Sequence, residues 1–211
     1  MRIRLSKRTT DSTSFLPSNE AKSIPFSTAD LHSTLSHFSI KPKSKLALLM
    51  QETLQLCEAP ALKSEVKHCA TSLESMVDFA VSKLGTNKGV QAMVTVLEDR
   101  KRAEKKNSPF KWYTVAGTAK EVSNAKATTV NCHPQTYAYL TYYCHSLKGT
   151  RTYVVPFVGD DGTKAEVVVV CHTDTSEWDP KHISFQMLHV RPGTGTICHT
   201  MEEDTIVWMT S

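Results

Sequence analysis

The chain contains no apolar run near the ~18 residues that a membrane-spanning helix requires. Its longest aliphatic stretch, Val167 to Val170, is the length of a strand. It also lacks a dominant charge. The net charge is +4, and no Lys/Arg stripe is interleaved with aromatics. The densest basic run, Arg100-Lys101-Arg102 with Lys105-Lys106, also holds Glu98, Asp99 and Glu104, so it reads as a solvated loop. Neither a nucleic-acid nor a membrane partner is expected. Common catalytic signatures are missing too: there is no G-x-S-x-G, no H-E-x-x-H and no glycine-rich phosphate loop. Met1-Arg2-Ile3-Arg4 is followed by Ser, Thr and Asp where the apolar core of a leader would begin. The sequence is then either cytosolic or a mature fragment whose leader has been removed.

The cysteines favour the second reading. Six of them form an even set, as in a disulfide framework built in an oxidising compartment. A hydrophobic content of 40% over 211 residues is enough for a globular core.

Two halves with different periodicity are expected. Residues 1–88 read as mainly helical and 89–211 as β-rich, giving an α+β fold with a mainly antiparallel C-terminal part. Ser27-Thr28-Ala29-Asp30 has capping-box form ahead of Leu31, Leu35 and Phe38. A second helix is predicted from about Ser44 to Cys57, with Leu46, Leu49, Met50, Thr53 and Leu54 on one face. Thr71-Ser72-Leu73-Glu74 opens a third, whose Leu73, Met76, Val77, Ala80, Val81 and Leu84 form a stripe that ends at Gly85. Cys57 and Cys69 flank the loop before it, and a bridge between them is favoured over two buried thiols.

After Gly89 the β-branched and aromatic residues take over. Strands are predicted at Val90 to Leu97, Phe110 to Val115, Thr128 to Cys132, Tyr137 to Cys144, Ile183 to Val190 and Ile206 to Met209. Tyr153 to Val158 and Ala165 to Cys171, joined by Gly159-Asp160-Asp161-Gly162, form the clearest hairpin.

The chemistry is concentrated in four Cys-His pairs: Cys132-His133, Cys144-His145, Cys171-His172 and Cys198-His199, spaced CH-x10-CH-x25-CH-x25-CH. Side chains alternate across a strand, so adjacent Cys and His face opposite ways. That disfavours mixed Cys₂His₂ zinc sites. It favours cysteines paired in disulfides and histidines free to converge on a metal, against the simpler reading of disulfide cysteines beside ordinary polar histidines. An all-imidazole set suits Cu(II), Zn(II), Ni(II) or Fe, and an oxidising location favours copper. His182, in Trp178-Asp179-Pro180-Lys181-His182, is a candidate further ligand or a group that supports one. His189 reads as a core or rim residue, and His32, His37 and His68 as structural or exposed. Six cysteines allow fifteen pairings, so connectivity is open.

This spacing resembles the BURP family of plants. Ser23-Ile24-Pro25-Phe26, Cys69 to Met76, Val158 to Lys164, Val170 to Ser176, Trp178 and Val207-Trp208 resemble it too. The likeness runs from about residue 14 to the end as a single domain, closest to the dehydration-responsive and unknown-seed-protein branches. Family members usually carry a signal peptide and a variable or repetitive middle region ahead of this domain. Some are copper-dependent autocatalytic cyclases that use Cu(II) and dioxygen to join a Tyr or Trp side chain to another residue of a core peptide. The resemblance implies His133, His145, His172 and His199 as copper ligands and catalytic residues, with their cysteines as staples. Only Met1 to about Thr13 precede the domain here, and no core peptide with a terminal Trp or Tyr is evident. The peptide would therefore lie upstream in a full-length protein or in a separate precursor. The alternative the resemblance implies is a non-catalytic seed or stress protein of the apoplast, cell wall or vacuole. Such a protein would resemble the polygalacturonase β subunit and have polygalacturonase or wall polysaccharide as its partner.

Overall fold

A computed structural model describes residues 2–6, 14–85, 89–98 and 110–210. The basic run beginning at Arg100 lies outside these. Two antiparallel sheets organise the β-rich part. The first orders β1 (Arg2–Ser6), β5 (Phe110–Val115), β9 (Thr150–Gly159), β10 (Lys164–His172) and β11 (Ile197–Thr200). Two short strands extend it: β4 (Val96–Leu97) pairs with β10, and β6 (Lys120–Ser123) with β9. The second sheet orders β2 (Glu65–Ala70), β8 (Thr141–Leu147), β7 (Val130–Gln135), β12 (Ile206–Thr210) and β3 (Val90–Met93).

The α+β reading holds, with helices preceding most of the β structure. Helices α1 (Ser18–Ser23), α2 (Leu31–His37) and α3 (Lys45–Glu58) come before β2. Ile24, Leu35, Met50 and Leu54 from this region pack with Tyr137 and Tyr139 of the β7–β8 loop. Ser44 caps α3 by accepting from the Ala47 N–H, and Thr53 donates 2.8 Å to the Thr136 carbonyl. The buried face is Ala47, Met50, Thr53 and Leu54, while Leu46 turns outward. Helix α4 (Leu73–Leu84) buries Met76, Ala80 and Leu84, with Met76 and Leu84 clustered with Val130, Cys132 and Cys144 of the second sheet.

Several boundaries differ from the expectations. The Ser27–Asp30 contacts form, but in a turn ahead of α2: the Asp30 N–H donates to the Ser27 hydroxyl, and no side chain caps the helix itself. The box at α4 sits one residue later than predicted, with Ser72 as the cap and Ser75 as its reciprocal partner. Gly85 then ends the helix in the left-handed conformation at φ 60°, where a Cβ would be strained. Ser72→Ala should cost about 1 kcal/mol of stability, read as a lower urea midpoint at unchanged slope.

The predicted strand Val90 to Leu97 is two strands in different sheets. The chain crosses between layers at Thr95, whose buried hydroxyl donates to the Met201 carbonyl at 2.7 Å and accepts from the Val168 N–H. The predicted strand Ile183 to Val190 is a helix, α5 (Ile183–Leu188). Only Phe185 of α5 is buried, with Ile183 60% and Met187 72% exposed, so no two-residue alternation of burial exists to support a strand. His189, expected on a strand, ends α5 in the left-handed region.

The two sheets pack through Val168 and Val170 of β10 against Val207 and Met209 of β12, and the chain turns from one sheet into the other at a corner. Strand β8 of the second sheet runs into β9 of the first through Lys148-Gly149 alone. Gly149 has φ 70°, and a Cβ there would come within 2.8 Å of the Thr173 hydroxyl. Thr150 fastens the corner by donating 2.8 Å to the Leu147 carbonyl. Because Thr150 pairs with His172 in the first sheet, this corner carries the end of β8 up to the end of β10.

Candidate metal centre

Three disulfides join Cys57 to Cys69, Cys132 to Cys144 and Cys171 to Cys198, which leaves no free cysteine. Cys132 stands directly opposite Cys144 in the β7–β8 register, and Cys171 opposite Cys198 between β10 and β11. When facing cysteines bond across an antiparallel pair, the residue after each is carried to the other face. The two following histidines then sit diagonally, within reach of long or aromatic side chains. Both sheets do this. His133 and His145 approach Nε2 to Nε2 at 3.3 Å, and so do His172 and His199. The corner brings the pairs together, with the His133 and His199 ring centroids 6.4 Å apart.

Outer partners orient the rings. His145 Nδ1 lies 2.9 Å from a Glu65 carboxylate oxygen, which can only accept, so Nδ1 carries the proton and Nε2 presents its lone pair. His172 Nδ1 lies 3.4 Å from the Thr150 hydroxyl oxygen. The Thr150 proton is already committed to Leu147, which again makes Nδ1 the donor and leaves Nε2 bare. Each bare nitrogen stands 3.3 Å from the Nε2 of its partner ring, a gap that either the partner's own Nε2–H, in its neutral tautomer, or a shared cation can fill.

Electrostatics keeps the pairs from taking up an extra proton. Burial, then the His145, His199 and His172 imidazoles, hold the His133 pKa down to about 3. Burial, then His199 and other neighbours, bring His172 to about 3 as well. His199 keeps an exposed side on β11, yet its ring is enclosed closely enough that burial lowers its pKa too. The Glu65 carboxyl is opposed by burial, but hydrogen bonds from His145, from the Tyr143 hydroxyl at 2.8 Å and from the Leu62 N–H hold it at about 2. It remains a carboxylate beside His145.

These imidazoles line a cavity of about 420 Å³ with Glu65, Leu62, Leu147, Trp178, Asp179, His182 and Ser184. The Trp178 ring lies 5.1 Å from that of His172 and 4.9 Å from that of His182. All five histidines singled out from the sequence thus share one cavity, whereas His68 stacks on Phe79 away from it. Glu65, Tyr143 and Thr150 were not anticipated. Their partners are distant in sequence or fixed by the corner, and Glu65 lies on a strand that was not predicted. Among the described residues, no three His, Cys, Asp or Glu side chains already form a closed metal site. The imidazoles stand as two pairs.

The BURP domain family profile matches residues 1–210. The chain belongs to the BURP family. It is 44% identical to BURP domain-containing protein 5 of rice (Oryza sativa subsp. japonica) over 196 residues, which cover 93% of this chain and 58% of that protein. It is 46% identical to rice BURP domain-containing protein 3 over 204 residues, 96% of this chain and 46% of that one. With BURP domain protein RD22 of Arabidopsis thaliana it shares 43% over 197 residues, 93% and 48% of the two chains. The BURP chain spans about half the length of these curated relatives. Plant relatives and three disulfides fit a protein of the secretory route or extracellular space.

Proposed function

We propose that the histidine pocket holds Cu(II) and, with dioxygen, closes a ring in a core peptide by linking a Tyr or Trp side chain to another residue. The observation that supports this best is the pair of Nε2–Nε2 separations of 3.3 Å. Two imidazole nitrogens ~2.0–2.1 Å from one ion are about 3.3 Å apart at a tetrahedral angle and about 2.9 Å apart at the right angle of tetragonal Cu(II), so the separation lies within a few tenths of an ångström of a shared ion in either geometry. The donor set fits as well. Every cysteine is in a disulfide, so no thiolate competes, and neutral imidazoles suit Cu(II).

His133, His145, His172 and His199 would hold the ion. When bound, copper supplies one-electron transfer and a reaction site for dioxygen. The rest falls to the protein. Glu65 and Thr150 fix the tautomers of His145 and His172, and the disulfides fix the strand ends that carry the rings. Trp178, Leu62 and Leu147 wall the cavity with apolar surface against which a peptide side chain can be held. Ring closure removes two hydrogens, as two electrons and two protons; dioxygen that takes up both becomes hydrogen peroxide. The core peptide comes from upstream in the full-length protein or from a separate precursor, and the setting is the apoplast, cell wall or vacuole.

The copper-loaded protein, incubated in air with a synthetic peptide containing Tyr and Trp, should lower the peptide's mass by two hydrogens. A peptide mass that stays unchanged at full copper loading would favour the non-catalytic, wall-associated reading. Glu65→Gln should weaken copper binding ~10- to 100-fold, the usual cost of losing a ligand's outer partner, as measured by competition with a chromophoric chelator.

A further inference from the structure

His182 lines the cavity but belongs to neither pair. It caps α5, and its Nδ1 accepts the Ser184 N–H at 3.3 Å. A backbone amide only donates, so Nδ1 must offer its lone pair, and the proton of the neutral ring sits on Nε2. This is the reverse of His145 and His172, whose Nδ1 atoms donate and whose Nε2 atoms are bare. The ring is held in place by Trp178, at 4.9 Å between centroids, and by Phe185 at 6.1 Å. The backbone is held by the His182 N–H donating to the Asp179 carbonyl at 2.8 Å. Turning the ring over would give up the helix cap.

A nitrogen that carries a proton cannot ligate a cation. We infer that His182 is a hydrogen-bond donor for a peptide carbonyl at the mouth of the cavity, with Trp178 stacking the neighbouring aromatic side chain, and that it is not a ligand of the metal. The surroundings select the guest. Asp179 and Glu65 also line the cavity, so a carboxylate would be repelled, whereas a neutral amide oxygen accepts from Nε2–H without an added charge. An aromatic ring on Trp178 buries apolar surface where His182 can reach the backbone next to it. His182 is therefore a positioning residue, and its part in the reaction rests on the copper-cyclase reading above.

Three measurements test it. In the metal-free protein, long-range ¹H–¹⁵N correlation should place the His182 proton on Nε2 and those of His145 and His172 on Nδ1; a His182 proton on Nδ1 overturns the inference. N-acetyl-tryptophanamide should bind the wild-type protein, and His182→Ala should weaken it about 3- to 10-fold, the range for one net hydrogen bond. His182→Asn, which keeps a cap and an N–H donor, should recover part of the loss. Failure of the wild type to bind this probe, or equal binding by His182→Ala, overturns the subsite. Finally, His182→Ala should retain the wild-type copper content and EPR parameters; loss of copper would make His182 a ligand and overturn the inference. A wild-type protein that takes up no copper defeats the cyclase reading instead, and leaves the first two measurements to decide the role of His182.

Discussion

His172→Ala should lower copper affinity by at least ~100-fold, more than the loss of any outer partner, and should abolish ring closure. His172 is 3% exposed, and its ring is the one held both by Thr150 and against Trp178. Its removal leaves His199 without a partner on the first sheet. The effect should be local. Cys171 faces the other side of β10, so the Cys171–Cys198 bond persists in the intact mass under non-reducing conditions, and far-ultraviolet circular dichroism is unchanged. His145→Ala should act in the same way from the second sheet, with the added cost of leaving Glu65 without its imidazole partner. His68→Ala, on the α4 side of β2, should do neither. If His172→Ala and His145→Ala both bind copper as tightly as the wild type, the assignment of these ligands fails.

Acid should destabilise the metal-free protein well before its carboxylates titrate. His133 and His172 sit near 3 when folded and return to about 6.5 when the chain unfolds. Between those values the unfolded chain binds more protons, so stability rises with pH. The contribution of the two neutral rings is fully present above about pH 6.5 and is lost as pH falls toward 3. Each pKa unit corresponds to ~1.4 kcal/mol, so going from pH 7.5 to 5 should remove a few kcal/mol in urea denaturation. Glu65 adds to this lower down. Its folded pKa of about 2 lies below the ordinary 4.5, so its contribution is present above 4.5 and is lost toward 2. Bound metal should steepen the acid limb, because protons and the ion compete for the same nitrogens. Equal urea midpoints at pH 7.5 and 5 would show that the rings are not buried as neutral bases.

Features set by local chemistry were legible in the sequence. The β9–β10 hairpin is announced by Asp160-Asp161-Gly162, and α4 by its apolar stripe and Gly85. The separation of cysteines from histidines follows from strand alternation at each Cys-His pair, and a histidine set apart from the cysteines could be named without knowing which cysteine meets which. What could not be read depends on tertiary context. Ile183, Phe185 and Met187 alternate as a strand would, but only Phe185 has a core to enter, and the chain takes the helical turn that His182 caps. Val90 to Leu97 looks continuous because nothing in its residues shows that Thr95 will bond to Val168 and Met201 in the other layer. Glu65 meets His145 across 80 residues, through a strand of sequence Glu-Val-Lys-His-Cys-Ala with little β character of its own. The corner at Gly149, which brings the two histidine pairs together, is a property of the paired sheets.

Copper content and the EPR spectrum, taken together on protein stripped with chelator, reloaded and desalted, test the central claim most directly. Copper held by these imidazoles predicts retained metal and a type-2 Cu(II) signal with nitrogen superhyperfine structure that disappears in His172→Ala. Protein that emerges without copper, or whose copper signal carries no nitrogen coupling, would contradict it.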